Sequence, residues 1–170
     1  MKVISIFGGT GFIGTELINQ LHKIPVEIRL FTRKKNKVNH LKPFLRVKII
    51  EISSNDSLQN DLKGTDIIIN LVGILHESNA VKFSTAHEDF VTKLINLALK
   101  QKIKRFVHLS ALGSSKKSLS RYLYSKYQTE LVIKNKFRLH DWTILRPSIV
   151  FGHNDKFINL FKNLVRFLPV

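Results

Sequence analysis

The sequence predicts an α/β protein built on a doubly wound parallel sheet. Short apolar runs alternate with helical patterns along the whole chain. One of those runs, DIIINLVG, is apolar at nearly every position, as a strand covered on both faces would be. Three glycines spaced by three, Gly8, Gly11 and Gly14, follow the first apolar run directly and open the first helical pattern.

The elements follow in order. KVISIF (2–7) is a buried strand. FIGTELINQLHK (12–23) puts Phe12, Ile13, Leu17, Ile18 and Leu21 on one helical face. Pro25 ends that stretch, VEIRLFTR (26–33) is the second strand and RVKIIEI (46–52) the third. DSLQNDLKG reads as a short helix with Asn55 as its N-cap and Gly64 past its end. DIIINLVG (66–73) is the fourth strand, and a helix follows around 83–101. RFVHLSA (105–111) is the fifth strand, with a long helix around 118–137 after it. WTILRP (142–147) is the last strand, stopped by Pro147. There is no internal repeat and no linker, so residues 1–170 read as one domain with right-handed crossovers and helices on both faces.

Composition narrows the class. A chain of 170 residues, 44% of them hydrophobic, can bury a real core. With no cysteine there is neither a disulfide framework nor a thiolate metal site, and a reducing compartment fits. No apolar run reaches membrane-spanning length, and the N-terminus reads as a first strand rather than a signal peptide, so secretion is not expected. A net charge of +16 points to an anionic neighbour, or to compositional drift toward Lys, Asn and Ile.

The glycine turn GGTGFIG (8–14) is the first candidate site. Its glycines permit a tight turn and let the backbone approach a pyrophosphate, while the first-turn N–H groups and the positive end of the helix dipole face the ligand. Strand, turn, helix and second strand are the context a dinucleotide site requires. Where the second strand ends, a carboxylate would select NAD and an Arg NADP. This chain has Arg33 there, followed by Lys34, Lys35 and Lys37, and no Asp or Glu from Arg29 to Ile50. NADPH is therefore the expected cofactor, with NAD as the alternative; the same charges also read as a solvated basic loop. Farther on, Tyr122 has Lys126 four residues later, on the same helical face. An adjacent ammonium would lower the phenol's pKa and suit the pair to proton transfer beside a nicotinamide, although the spacing also fits a plain surface helix.

Five stretches then match one family: GGTGFIG, NLVGIL (70–75), RFVHLSALG (105–113), YLYSK (122–126) and TILRPSIVFGHNDKFINLF (143–161). Together they resemble the atypical short-chain dehydrogenase/reductases, and among these the branch of the NAD(P)H-binding accessory subunit of respiratory complex I and its bacterial relatives. The resemblance implies a sheet of order 3-2-1-4-5-6-7 with a small C-terminal lobe. It implies that Gly8, Gly11 and Gly14, with Thr10, Phe12 and Ile13 of the same turn, hold the pyrophosphate. Arg33 would face the adenosine phosphate, and Asn70 and Gly73 would line the groove. Lys126 would reach the nicotinamide ribose beside Tyr122, and Pro147 and Ser148 would approach the nicotinamide end.

Two departures bear on activity. Catalytic relatives carry a Ser after the fifth strand, where this chain has Ala111; Ser110 is the substitute, or its hydroxyl caps local backbone. The chain also stops at RFLPV, so the expected order is 3-2-1-4-5-6, without the seventh strand and substrate lobe, as in a fragment, a split gene or a truncated remnant. His87, near the start of a helix, reads as a capping or packing residue, and no metal site is expected.

The leading expectation is an NAD(P)H-binding protein with a structural, assembly or sensing role and little turnover. An NADPH-dependent oxidoreductase or epimerase using the Tyr122/Lys126 pair is the alternative. A basic, non-enzymatic protein on a membrane or on nucleic acid is the third reading; nucleic acid is disfavoured, because no aromatics interleave with the basic residues. Residues 157–168 read as a helix apolar around most of its circumference, expected to dock on complex I subunits, a second copy or an anionic membrane. The corresponding location is cytoplasmic, or peripheral on the inner face of a bacterial or inner mitochondrial membrane.

Overall fold

The computed structural model describes residues 1–33, 38, 44–52, 54–137, 141–152 and 155. Six strands form one sheet: β1 (Lys2–Phe7), β2 (Val26–Thr32), β3 (Val47–Glu51), β4 (Ile67–Asn70), β5 (Arg105–Leu109) and β6 (Trp142–Leu145). All pairs are parallel, as the alternation of strands and helices predicts, and the order is β3-β2-β1-β4-β5-β6, as the resemblance implies. The connections between strands carry α1 (Phe12–Leu21), α2 (Asn55–Asp61), α3 (Phe90–Lys100) and α4 (Arg121–Lys136).

Helices cover both faces. Alternate residues of the inner strands bury Ile4, Ile6, Ile28 and Leu30 under Ile18 of α1. On the other face Phe7, Phe31, Ile68 and Phe106 meet Leu58 of α2, Leu94 and Ile95 of α3, and Ile133 of α4. The Phe7 and Phe31 rings, partners in the β1–β2 register, stack with centroids 4.5 Å apart. Burying a side chain of this size contributes about 1.5–3 kcal/mol, so the two layers account for most of what holds the sheet.

The strand order reverses at β1, which runs between β2 and β4. Beyond that switch point the two halves of the sheet send their connections to opposite faces and leave a crevice at the carboxyl ends of the strands.

Several boundaries differ from the sequence reading. Ser54, not Asn55, caps α2: its hydroxyl accepts from Ser57 N–H, and the Ser57 hydroxyl accepts from Ser54 N–H, both at 3.2 Å. β4 ends at Asn70 rather than running to Gly73. The helix expected around 83–101 starts as a π-helical turn, Ser84–Asp89, in which Phe90 N–H reaches back to Thr85 O. The long helix starts at Arg121, because Ser120 turns its hydroxyl to Leu123 N–H and caps it there. The apolar helix expected over 157–168 lies outside the described residues, as do Lys34, Lys35 and Lys37.

Candidate functional site

The glycine turn occupies the switch point. Gly8 has φ +78°, and a Cβ there would lie 2.7 Å from the Leu71 backbone, so only glycine fits between β1 and the chain leaving β4. A Cβ on Gly14 would lie 2.4 Å from the Gly9 Cα; its absence lets α1 press backbone against backbone on the turn. Gly11 caps α1 without a side-chain hydrogen bond, and no acidic residue stands in the first turn. The positive end of α1, in the segment containing Thr10, Phe12 and Ile13, therefore opens into the crevice without a counter-charge of its own. This is the donor set that a pyrophosphate fits. Gly152 brings the far end of the chain onto the same turn, since its Cβ would lie 3.1 Å from the Phe12 ring. Arg33 lies just past the end of β2 and is exposed.

Opposite the turn, the exits of β4 and β5 hold a buried polar cluster. Asn70 is fully buried; its Oδ1 accepts from Val72 N–H at 3.1 Å, which shapes the loop after β4. Its amide nitrogen then donates to His108 Nδ1 at 3.0 Å, which puts the ring proton on Nε2. That Nε2 is buried and makes no hydrogen bond. Asn70 thus shapes the groove rather than presenting its amide to a ligand.

Lys126 enters this cluster from α4. Its Nζ donates to Leu109 O at 3.1 Å and lies 3.1 Å from where a Gly73 Cβ would be. Burial lowers the ammonium to about pKa 8 against the raising effect of Glu130. His87 closes the cluster. Its Nε2 accepts from Ile74 N–H at 3.1 Å, and its Nδ1–H donates to Ser125 Oγ at 2.8 Å, which in turn donates to Tyr122 O. Burial first, and then the Lys126 charge, lower His87 to about pKa 4. The packing role expected of His87 is what the structure shows, with a loop and a helix tied together through its two ring nitrogens.

Tyr122 lies edge-on to His87 and Phe83, each at 5.8 Å between centroids, at the mouth of the cluster. Its phenol is pushed up by burial, opposite to the lowering expected from a neighbouring ammonium. Ser110 does not cap backbone. Its hydroxyl donates to Glu130 Oε1 at 2.6 Å, in a network in which the exposed Arg146 pairs with both oxygens of the buried Glu130 carboxylate. Burial alone would raise the Glu130 carboxyl; hydrogen bonds from Arg146 and Ser110, with the charges of Arg146 and Lys134, hold it below the usual range. Ser110 is therefore engaged in holding β5, α4 and the end of β6 together. Pro147 accepts from Leu112 N–H at 2.8 Å, and Ser148 is exposed beside it. Among the described residues no group of His, Asp and Glu could hold a metal ion.

Glu130, Arg146, His108 and Ser125 are the residues that sequence reading missed. Glu130 had a signal: Tyr122, Lys126 and Glu130 recur every four residues on one face of α4. His108 and Arg146 had none, since their partners are brought together only by the sheet.

A parallel sheet of this order, with a glycine turn at its switch point and a buried lysine across the crevice, defines a dinucleotide-binding α/β domain. The chain belongs to the NAD(P)H-binding family, whose family model matches residues 8–158. It is 28% identical over 99% of its length to the mitochondrial NADH dehydrogenase (ubiquinone) 1 alpha subcomplex subunit 9 of Mus musculus, covering 46% of that protein. It is 27% identical over 99% of its length to the ceramide reductase of Caulobacter vibrioides, covering 53% of it. Among solved structures, Pen from Bacillus thuringiensis superposes with a TM-score of 0.83 at 20% identity, over 98% of this chain and 58% of that one, a likeness of fold. The chain spans about half the length of these curated relatives. The resemblance to the atypical short-chain dehydrogenase/reductases thus extends over essentially the whole sequence.

Proposed function

We propose that this chain binds NADPH as part of a complex I-associated protein, in a structural, assembly or sensing role with little turnover. The observation that carries the reading is Lys126: an ammonium buried beside Gly73, across the crevice from the open N-terminus of α1. A nicotinamide dinucleotide, when bound, supplies hydride chemistry at its ring. The chain's part is to hold it. The first-turn N–H groups of α1 take the pyrophosphate, Arg33 takes the adenosine phosphate, and Lys126 takes the nicotinamide ribose. Tyr122, Pro147 and Ser148 border the nicotinamide end. Association with complex I subunits, and a place on the inner face of the membrane that carries them, belong to the same proposal.

NADPH is expected to bind about tenfold or more tighter than NADH, because a charge-assisted hydrogen bond contributes about 1.5–3 kcal/mol. Isothermal titration checks this: Arg33→Ala should remove the difference. Equal affinities in the unaltered chain would overturn the preference.

Turnover is the second reading, favoured by Tyr122 and Lys126 lying one turn apart on the same face of α4. Against it stand a phenol raised by burial and a Ser110 hydroxyl already given to Glu130. NADPH should therefore bind without steady oxidation in the presence of carbonyl substrates. Sustained oxidation that Tyr122→Phe abolishes would establish an NADPH-dependent oxidoreductase or epimerase instead.

A further inference from the structure

In a parallel sheet every helix-to-strand connection returns to the same edge, the one opposite the cofactor crevice. Here that edge is basic and carries exposed aliphatic side chains. At the β1–β2–β3 corner, Lys2, Lys23 and Lys48 surround Met1, Ile24 and Leu45, which are 78%, 46% and 104% exposed. Arg46 joins them: its guanidinium donates to Ile24 O at 3.3 Å, and it lines one hollow with Met1 and Leu45. At the β4–β5 corner, Lys100, Lys102 and Lys104 accompany exposed Leu99, and Lys63 stands between the corners after α2.

Among the described residues, Lys2, Lys48, Lys63, Lys102 and Lys104 meet no carboxylate at salt-bridge distance. The acids of this edge are fewer: Glu27 pairs with Arg29, Asp66 accepts Val3 N–H, and Asp61 and Asp141 stand at the end of α2 and just before β6. Glu51, Glu77, Glu88 and Asp89 stand at the opposite end.

We propose that this edge docks on an anionic lipid bilayer, with the ammonium groups at the headgroups and the aliphatic tips at the interface. The pairing of chemistries selects lipid. Lysines attract an anionic surface, and aliphatic tips gain from entering it. A nucleic-acid surface would instead use aromatic faces for stacking, and among the described residues the exposed aromatics, Tyr124 and Phe151, are not on this edge. The cofactor crevice would then face away from the membrane, whatever it binds, so this inference does not depend on the function proposed above.

The native chain contains no cysteine, so single labels report orientation cleanly. Leu45→Cys and Phe151→Cys, each carrying an environment-sensitive dye, are mixed with phosphatidylcholine vesicles with and without phosphatidylglycerol. The Leu45 label should shift to the blue only with the anionic vesicles, and the Phe151 label should not move. In flotation, a Lys102→Glu, Lys104→Glu variant with an unchanged melting temperature should bind about tenfold less or weaker still, and salt should release the parent chain. If that variant fails to fold, the paired labels decide alone. Equal binding to neutral vesicles, a shift at Phe151 rather than Leu45, or tighter binding to RNA than to anionic vesicles at the same salt would each overturn the proposal.

Discussion

Lowering the pH below about 6.5 should already destabilise this domain, through two buried histidines. His87 and His108 are both buried and neutral, held to about pKa 4 and about pKa 3 by burial and by the nearby Lys126 charge, against 6.5 for a free imidazole. Below pH 6.5 the unfolded chain takes up protons at both rings and the folded chain does not. Stability that is complete above that pH is therefore lost as the pH falls toward the folded values. For His87 alone the loss amounts to about 3 kcal/mol, and His108 adds a term of the same order. Domains of this size are typically stable by about 5–15 kcal/mol, so the loss is a large share of the whole. The urea midpoint should fall continuously from about pH 6.5 to 5, a window in which Glu130 stays ionised in both states. His87→Asn should make that slope shallower. A midpoint that stays flat across the window would show that the rings titrate normally.

Replacing Lys126 with Met should stabilise the protein and impair its binding. The ammonium has been lowered from 10.5 to about 8, so holding it charged at neutral pH costs the folded state about 3 kcal/mol. The stability that this group withholds returns only as the pH rises from 8 toward 10.5. A thioether side chain of similar length removes the cost. The melting temperature should rise by about 5–10 °C. Affinity for NADPH should fall about tenfold or more with the loss of a charged donor to the ribose. The two histidines should also protonate less reluctantly, softening the acid limb. A lower melting temperature with unchanged affinity would place Lys126 among the structural residues. The pattern expected here is that of a site residue kept at a cost to stability.

What the sequence disclosed depended on the range of the interaction. Strands and helices are local periodicities, so all six strands were legible, and their parallel pairing followed from the alternation with helices, while the strand order came only with the family resemblance. Helix ends were less so. Ser54 and Asn55 are both good caps, and the choice fell to Ser54 because Ser57 could reciprocate. The glycine turn was legible because its physics lies within seven residues, Gly8 to Gly14. Ser110 was not. A serine at a strand end satisfies itself with local backbone unless something stronger is near, and Glu130, 20 residues away, is brought near only by the packing of α4. The Tyr122 phenol shows the same limit: spacing predicted a neighbouring charge, while burial, which spacing does not encode, sets the direction of its shift.

The π-helical turn at Ser84–Asp89 restricts what insertions and deletions this segment can absorb. A π-helical turn contains one residue more than the α-helical turn it replaces, and each residue of a helix advances the azimuth by about 100°. Losing Glu88 or Asp89 would let the regular ladder of α3 run back through the segment. It would also swing His87 about a quarter-turn off the line between Ile74 N–H and Ser125. Substitutions at the exposed positions of this segment leave that geometry alone. A change of length does not, so the gene's reading of residues 84–89 is constrained in number more tightly than in kind.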